Sequence, residues 1–169
     1  PVSDALLPET LTLQDRGIAD AVPGTASQTA PGRLRRLPLY GRVAAGLPTL
    51  ASGNIEDELL IDATLFLPRA DSLLRVQGHS MRDAGILDRD ILAVHRIATA
   101  ANGQIVVARI GEEATVKYYY RQGPRLWLQP ANPAFQPIEV DLRAQDCVIE
   151  GLAVGIVRAG LPLAPASPR

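Results

Sequence analysis

This sequence predicts a mostly β domain built of antiparallel strands and preceded by a flexible linker. Three observations predict it. From residue 37 onward the apolar residues fall in short runs separated by Gly, Pro, Asn and Asp. No amphipathic helical period continues beyond about three turns. Two of the runs are joined by Gly111-Glu112, a two-residue link with Gly first, which is the signal of a type II′ hairpin.

Residues 1–36 carry Pro1, Pro8, Pro23 and Pro31 with Gly24 and Gly32, and the stretch 22–32 is small, polar and aperiodic. This composition predicts a linker or leader. Arg33, Arg35 and Arg36 at its end read as a solvated charge run. The first clear strand is Leu73–Gln77, and Ile91–Ile97 is the second. Gln104–Ile110 then turns at Gly111-Glu112 into Glu113–Tyr120. Arg121-Gln122-Gly123-Pro124 reverses the chain into Arg125–Gln129. Pro137–Val140 and the long apolar run Val148–Val157 complete the set, and the Pro-rich tail 161–169 is expected to fray. The run Ile149–Val157 is expected to offer an open edge for antiparallel pairing with a second copy.

At 169 residues the chain is long enough for one domain with a real core. A net charge of −1 leaves no broad basic field for nucleic acid. Cys147 is the single cysteine and is read as a small apolar filler of a strand. With only His79 and His95 beside it, the composition points to no metal cluster. No apolar run approaches the ~18 residues of a membrane span, and no signal peptide is apparent. The chain begins at Pro1, so a further segment is expected upstream.

Lys117 is the one lysine among 17 basic residues, and it lies in the apolar and aromatic run 114–120. Arginine stays protonated at any working pH, whereas a buried amine can lose its proton. To act as a base near neutrality, lysine must fall about 2–3 units from its usual ~10.4. Strand alternation places Thr115 on the same face as Lys117, where its hydroxyl can hold a neutral amine. The nucleophile candidate is Ser80 in Gln77-Gly78-His79-Ser80-Met81-Arg82-Asp83. Gly78 permits a sharp turn after a strand, and backbone N–H groups at such a turn can stabilise an oxyanion. Ser52 and Ser72 are further serines, of the kind that usually caps or solvates a turn.

The block Gly78-His79-Ser80-Met81-Arg82-Asp83-Ala84-Gly85-Ile86, continued by Asp88-x-Asp90-Ile91-Leu92-Ala93-Val94, resembles the serine motif of the LexA/UmuD-type self-cleaving Ser/Lys peptidases. Glu113-Ala114-Thr115-Val116-Lys117 resembles the lysine strand of that family, and Leu39-Tyr40-Gly41-Arg42-Val43-Ala44-Ala45-Gly46 its cleavage segment. Leu126–Leu142, with Pro130–Pro137 inside it, and Ile149–Gly155 extend the likeness, which runs from about Leu37 to Arg158 in the family's order. His79 stands where the family usually has Met, and Ala114 where it usually has Val.

The resemblance implies a LexA/signal-peptidase-like β domain over 37–160. It implies Ser80 as nucleophile and Lys117 as general base, with Thr115 in support. The oxyanion hole falls on the backbone N–H groups of His79 and Ser80, and the cut bond on Ala45-Gly46. It implies no cofactor and no metal. The partners implied are a second copy in a homodimer, a RecA filament on single-stranded DNA that stimulates cutting, and operator DNA reached through an upstream winged helix-turn-helix. A bacterial cytoplasmic setting without membrane attachment goes with these. The family also contains UmuD-like accessory subunits of translesion polymerases, which share the fold and dyad. The Ala-Gly bond and the leader of about 45 residues before it lean toward a repressor.

Overall fold

The computed structural model describes residues 34–41, 54–62 and 64–160. Nine strands form one sheet: β1 Leu34–Tyr40, β2 Ile55–Asp62, β3 Ser72–Arg75, β4 Ile91–His95, β5 Ile105–Ile110, β6 Glu113–Gln122, β7 Arg125–Gln129, β8 Ile138–Asp141 and β9 Cys147–Val157. Their order is β2-β1-β3-β4-β9-β5-β6-β7-β8. Every neighbouring pair is antiparallel except β1 and β3, which run parallel at Leu39↔Leu73 and Tyr40↔Leu74. Among the described residues no helix is long and apolar enough to cross a membrane.

The turn chemistry works as the sequence predicts. Gly111 has φ 58°, and Glu112 is not among the residues with positive φ. Positive φ at the first position alone is the type II′ geometry. Gly123-Pro124 repeats the device with φ 58° at Gly123, so β6 runs on to Gln122 before it turns. Strands β1 and β2 were not expected as a pair, and β1 begins at Leu34, inside the stretch assigned to the linker. The charged residues of β2, Glu56, Asp57 and Glu58, are exposed, and this hides the period-2 signal there.

Strand alternation divides the core between the faces of the sheet. Tyr40, Leu74, Leu92, Val94 and Val107 pack with Val76, Met81 and Ile86. Their chain neighbours Leu39, Leu73 and Ala93 pack instead with Leu37, Ile61, Phe66 and Ala70. Val106 and Ala108 join Tyr119, Leu126, Leu128 and Val140 in a third cluster, against which Cys147 rests half-buried. Burial pushes the Cys147 thiol pKa up, in keeping with a filler role.

The expected open edge over Ile149–Val157 is corrected by the sheet order. Strand β9 lies between β4, paired with Leu152–Val157, and β5, paired with Cys147–Leu152. The dense apolar run reflects an interior strand with neighbours on both sides; the outer strands of the sheet are β2 and β8.

One ion pair ties the end of β9 to the turn that carries Ser80. Arg158 donates from Nε to Asp90 Oδ1 and from a terminal nitrogen to Asp90 Oδ2, each at 2.6 Å, and also reaches Gly85 O at 2.8 Å. Asp90 is 2% exposed and accepts from Leu87 N–H as well. The Arg158 guanidinium, against an opposing cost of burial, holds the Asp90 carboxyl below its ordinary range. A depressed carboxyl pKa stabilises the fold above the unfolded value near 4, and that stability is lost as pH falls through the folded value. Asp90→Ala is therefore expected to destabilise the chain at pH 7 and to flatten its stability loss in acid. The Arg158 side chain stays 44% exposed and hydrates when alone, so the loss should be about 2 kcal/mol, below the ~3–5 of a fully buried pair. Urea unfolding at pH 7 and pH 3 reads both effects; equal stability of variant and parent at pH 7 would refute the assignment.

Candidate active site

Strand β3 leads through Val76 into a closed turn that ends at β4. Val76 N–H donates to Asp90 O at 2.8 Å and Arg89 N–H to Val76 O at 3.0 Å, closing its base. Gly78 takes φ 85°, which its missing Cβ allows, and its N–H donates to Asp88 Oδ1 at 2.8 Å. Met81 and Ile86, both buried, anchor the far side of the turn in the core. Ser80, between Gly78 and Met81, is thus held half-buried at the surface of the core.

Strand β6 brings Lys117 to it. The amine Nζ lies 2.8 Å from Ser80 Oγ, 2.6 Å from Thr115 Oγ1 and 3.0 Å from Val116 O. Lys117 is 6% exposed. Burial lowers its pKa from 10.5 to about 8. Among the described residues no carboxylate pairs with it, and removal from water is the cause of the shift. The difference is worth roughly 3 kcal/mol, and the folded chain carries that cost at neutral pH.

The three contacts suit either protonation state, and this makes them useful. A protonated amine donates to all three oxygens. A neutral amine has two N–H groups and a lone pair. Val116 O can only accept, whereas each hydroxyl can also donate. The neutral amine can therefore donate to Val116 O and Thr115 Oγ1 while its lone pair accepts the Ser80 hydroxyl proton. Such a geometry is able to let an amine base activate a serine hydroxyl.

A cavity of about 140 Å³ opens beside this pair, lined among others by Gly41, Leu74, Val76, Gly78, Ser80 and Thr115. Arg75 on its rim pairs with Glu56 at 3.0 Å, a half-exposed contact of little energetic weight. Gly41 N–H donates to Asn54 O at 3.1 Å. The expected cleavage residues Ala45 and Gly46, together with Ser52, lie outside the described residues. Ser72 is wholly buried in β3, and among the described residues its hydroxyl has no hydrogen-bond partner. No hydrogen bond is donated by the N–H of His79 or of Ser80 among the described residues.

Sequence reasoning missed one residue. Asn132, in the segment after β7, donates from Nδ2 to His79 O at 2.8 Å. The Asn132-Pro133 pair was the only signal the sequence offered, and an Asn there reads first as a turn residue.

Residues 38–154 match the peptidase S24-like family. The chain is 60% identical over 122 residues to a LexA repressor of Pseudomonas aeruginosa (strain LESB58), covering 72% of this chain and 60% of that protein. It is 49% identical over 153 residues to a LexA repressor of Aeromonas hydrophila subsp. hydrophila, covering 86% of this chain and 74% of the relative. A LexA repressor of Thiobacillus denitrificans is 50% identical over 152 residues, covering 90% and 76%. The chain thus spans about 60% of the length of the Pseudomonas relative.

Proposed function

The chain belongs to the peptidase S24-like family, and from that premise we propose that it is the self-cleaving part of a LexA-type repressor of the SOS response to DNA damage. One observation carries the chemistry: the amine of a buried lysine with a lowered pKa lies 2.8 Å from a serine hydroxyl at the edge of a cavity. In this reading Lys117 Nζ takes the Ser80 proton as Oγ attacks the carbonyl carbon of Ala45. The developing oxyanion is held by the N–H groups of His79 and Ser80, and Thr115 keeps the amine in place. The protonated amine then gives its proton to the leaving Gly46 nitrogen. Water, deprotonated by the same amine, releases the acyl group from Ser80.

Chain length supports the assignment of the bond. Gly41 lines the cavity, and Ala45 follows it by four residues, which span at most about 14 Å. Alanine before the bond suits a small site, and glycine after it suits a tight bend over the serine.

Cutting would separate an upstream DNA-reading segment from this domain. If the domain holds two copies together, the avidity of a dimer for a two-part operator is then lost. A RecA filament on single-stranded DNA would speed the reaction by binding the state in which the bond is docked on Ser80 better than the undocked state. The relatives named above are repressors, which favours this reading over that of a polymerase subunit.

Incubation of the purified protein at mildly alkaline pH, followed by intact-mass spectrometry, tests the reading. The expected products end at Ala45 and begin at Gly46. A cut at any other bond, or an intact chain after prolonged incubation, would overturn it.

A further inference from the structure

Asn132 is 6% exposed, and its carboxamide is held by two backbone groups of opposite kind. Nδ2 donates to His79 O at 2.8 Å, and Oδ1 accepts from Ala134 N–H at 2.9 Å. A carbonyl needs a donor and an N–H needs an acceptor, so these partners permit only one orientation of the amide. The same segment grips the serine turn twice more. Ala131 N–H donates to Ser80 O, and Asp83 N–H to Ala131 O, both at 2.8 Å. The carbonyls of His79 and Ser80 are therefore both held by the segment that follows β7.

The consequence lies in the peptide between His79 and Ser80. Among the described residues the only cis bond is Leu67-Pro68, so this peptide is trans. In a planar trans peptide the C=O and the N–H point in opposite directions. Fixing His79 O on Asn132 thus aims Ser80 N–H away from Asn132. The cavity is lined by Ser80 and not by Asn132. Arg82 N–H also approaches His79 O, at 3.2 Å, but it belongs to the same turn and moves with it. Asn132 comes from another part of the chain and is an external reference for the peptide.

We infer that Asn132 is a positioning residue for self-cleavage: by holding the His79 carbonyl it keeps the Ser80 N–H turned toward the point where the scissile carbonyl oxygen gains its charge. This rests on the reading of Ser80 as nucleophile and of its N–H as an oxyanion donor. Without the bond, the peptide is free to turn over and present a carbonyl oxygen where a donor is required.

Two variants of the full chain, Asn132→Asp and Asn132→Ala, test it. Asp keeps the volume and the acceptor for Ala134, but sets a carboxylate oxygen against His79 O. Self-cleavage is followed over a pH series, and the plateau rates are compared per folded molecule, with folding read by circular dichroism. A midpoint displaced by the new carboxylate then does not enter. Both plateaus should fall by about a hundredfold, the scale of losing one oxyanion donor. The Asp variant should be at least as slow as the Ala variant. A packing role alone predicts the reverse order, because Asp fills the space that Ala empties. A plateau for the Asp variant within about threefold of the parent overturns the inference, as does an Asp variant faster than Ala. If either variant does not fold, the plateau of the other decides alone against the same threshold. Failure of the parent chain to cut, or cutting by Ser80→Ala, would instead remove the reading on which the inference stands.

Discussion

Ser80→Ala, Lys117→Ala and Lys117→Arg should each stop self-cleavage while leaving the fold intact. Ser80→Ala removes the attacking oxygen and little else, since its backbone bond to Ala131 remains. Lys117→Ala removes the base, and with it the cost of a poorly solvated amine. Lys117→Arg is the informative variant. It keeps a positive charge and several donors, yet a guanidinium does not give up its proton at any usable pH. If Lys117 only neutralised charge or supplied donors, Arg would retain much of the rate. If it is the base, Arg should be as inactive as Ala, with a loss of at least about a thousandfold. Gel or mass analysis of chains held at pH 8 to 9 reads the outcome. Cutting by the Arg variant within about tenfold of the parent would end the base assignment. Retained near-ultraviolet circular dichroism would show that any loss is chemical.

The second large effect is on pH. The rate should climb about tenfold per unit below the Lys117 pKa of about 8 and level off above it. The sign follows from burial. Desolvation lowers the pKa of a cation, so the folded state prefers the neutral amine, which is the form able to accept the Ser80 proton. The same shift makes the folded chain gain stability as pH rises from about 8 toward the unfolded value near 10.5, where the unfolded chain binds the extra proton. Rate and stability should therefore rise over adjoining ranges, and the stability gain should vanish in Lys117→Met. A RecA filament should increase the rate by favouring the docked bond, without supplying a catalytic group. Initial rates from pH 6 to pH 10 give the curve. A profile flat from neutral to alkaline pH would show that a lysine does not control the step.

Much of the site was legible because its signals are local or compositional. A lone lysine among 17 basic residues stands out in any alignment of types, and a hydroxyl two residues before it on a strand must share its face. Gly78 at φ 85° and Gly111 at φ 58° occupy positions that few other residues adopt, so the sequence marks both turns. The resemblance in order and spacing added the pairing of Ser80 with Lys117. The bond between them joins residues 37 apart, and nothing local in the turn or in the strand specifies it.

What the sequence by itself determined is the β class, the type II′ turn at Gly111-Glu112, the apolar period of the strands from β3 onward, and the choice of Ser80 and Lys117 as candidates. Each of these depends on a few neighbouring residues and on the fixed geometry of the backbone. Tertiary structure alone decided that β9 is an interior strand, that β1 runs parallel to β3, that Arg158 secures Asp90, and that Asn132 holds the peptide before Ser80. The last two bonds join residues 68 and 53 apart. A buried carboxylate or carboxamide accepts many partners of suitable chemistry, and an apolar run fits an edge or an interior strand equally well. Only the closing of the sheet brings one partner within hydrogen-bond distance, because partner choice is set by where the backbone arrives and not by the residues themselves.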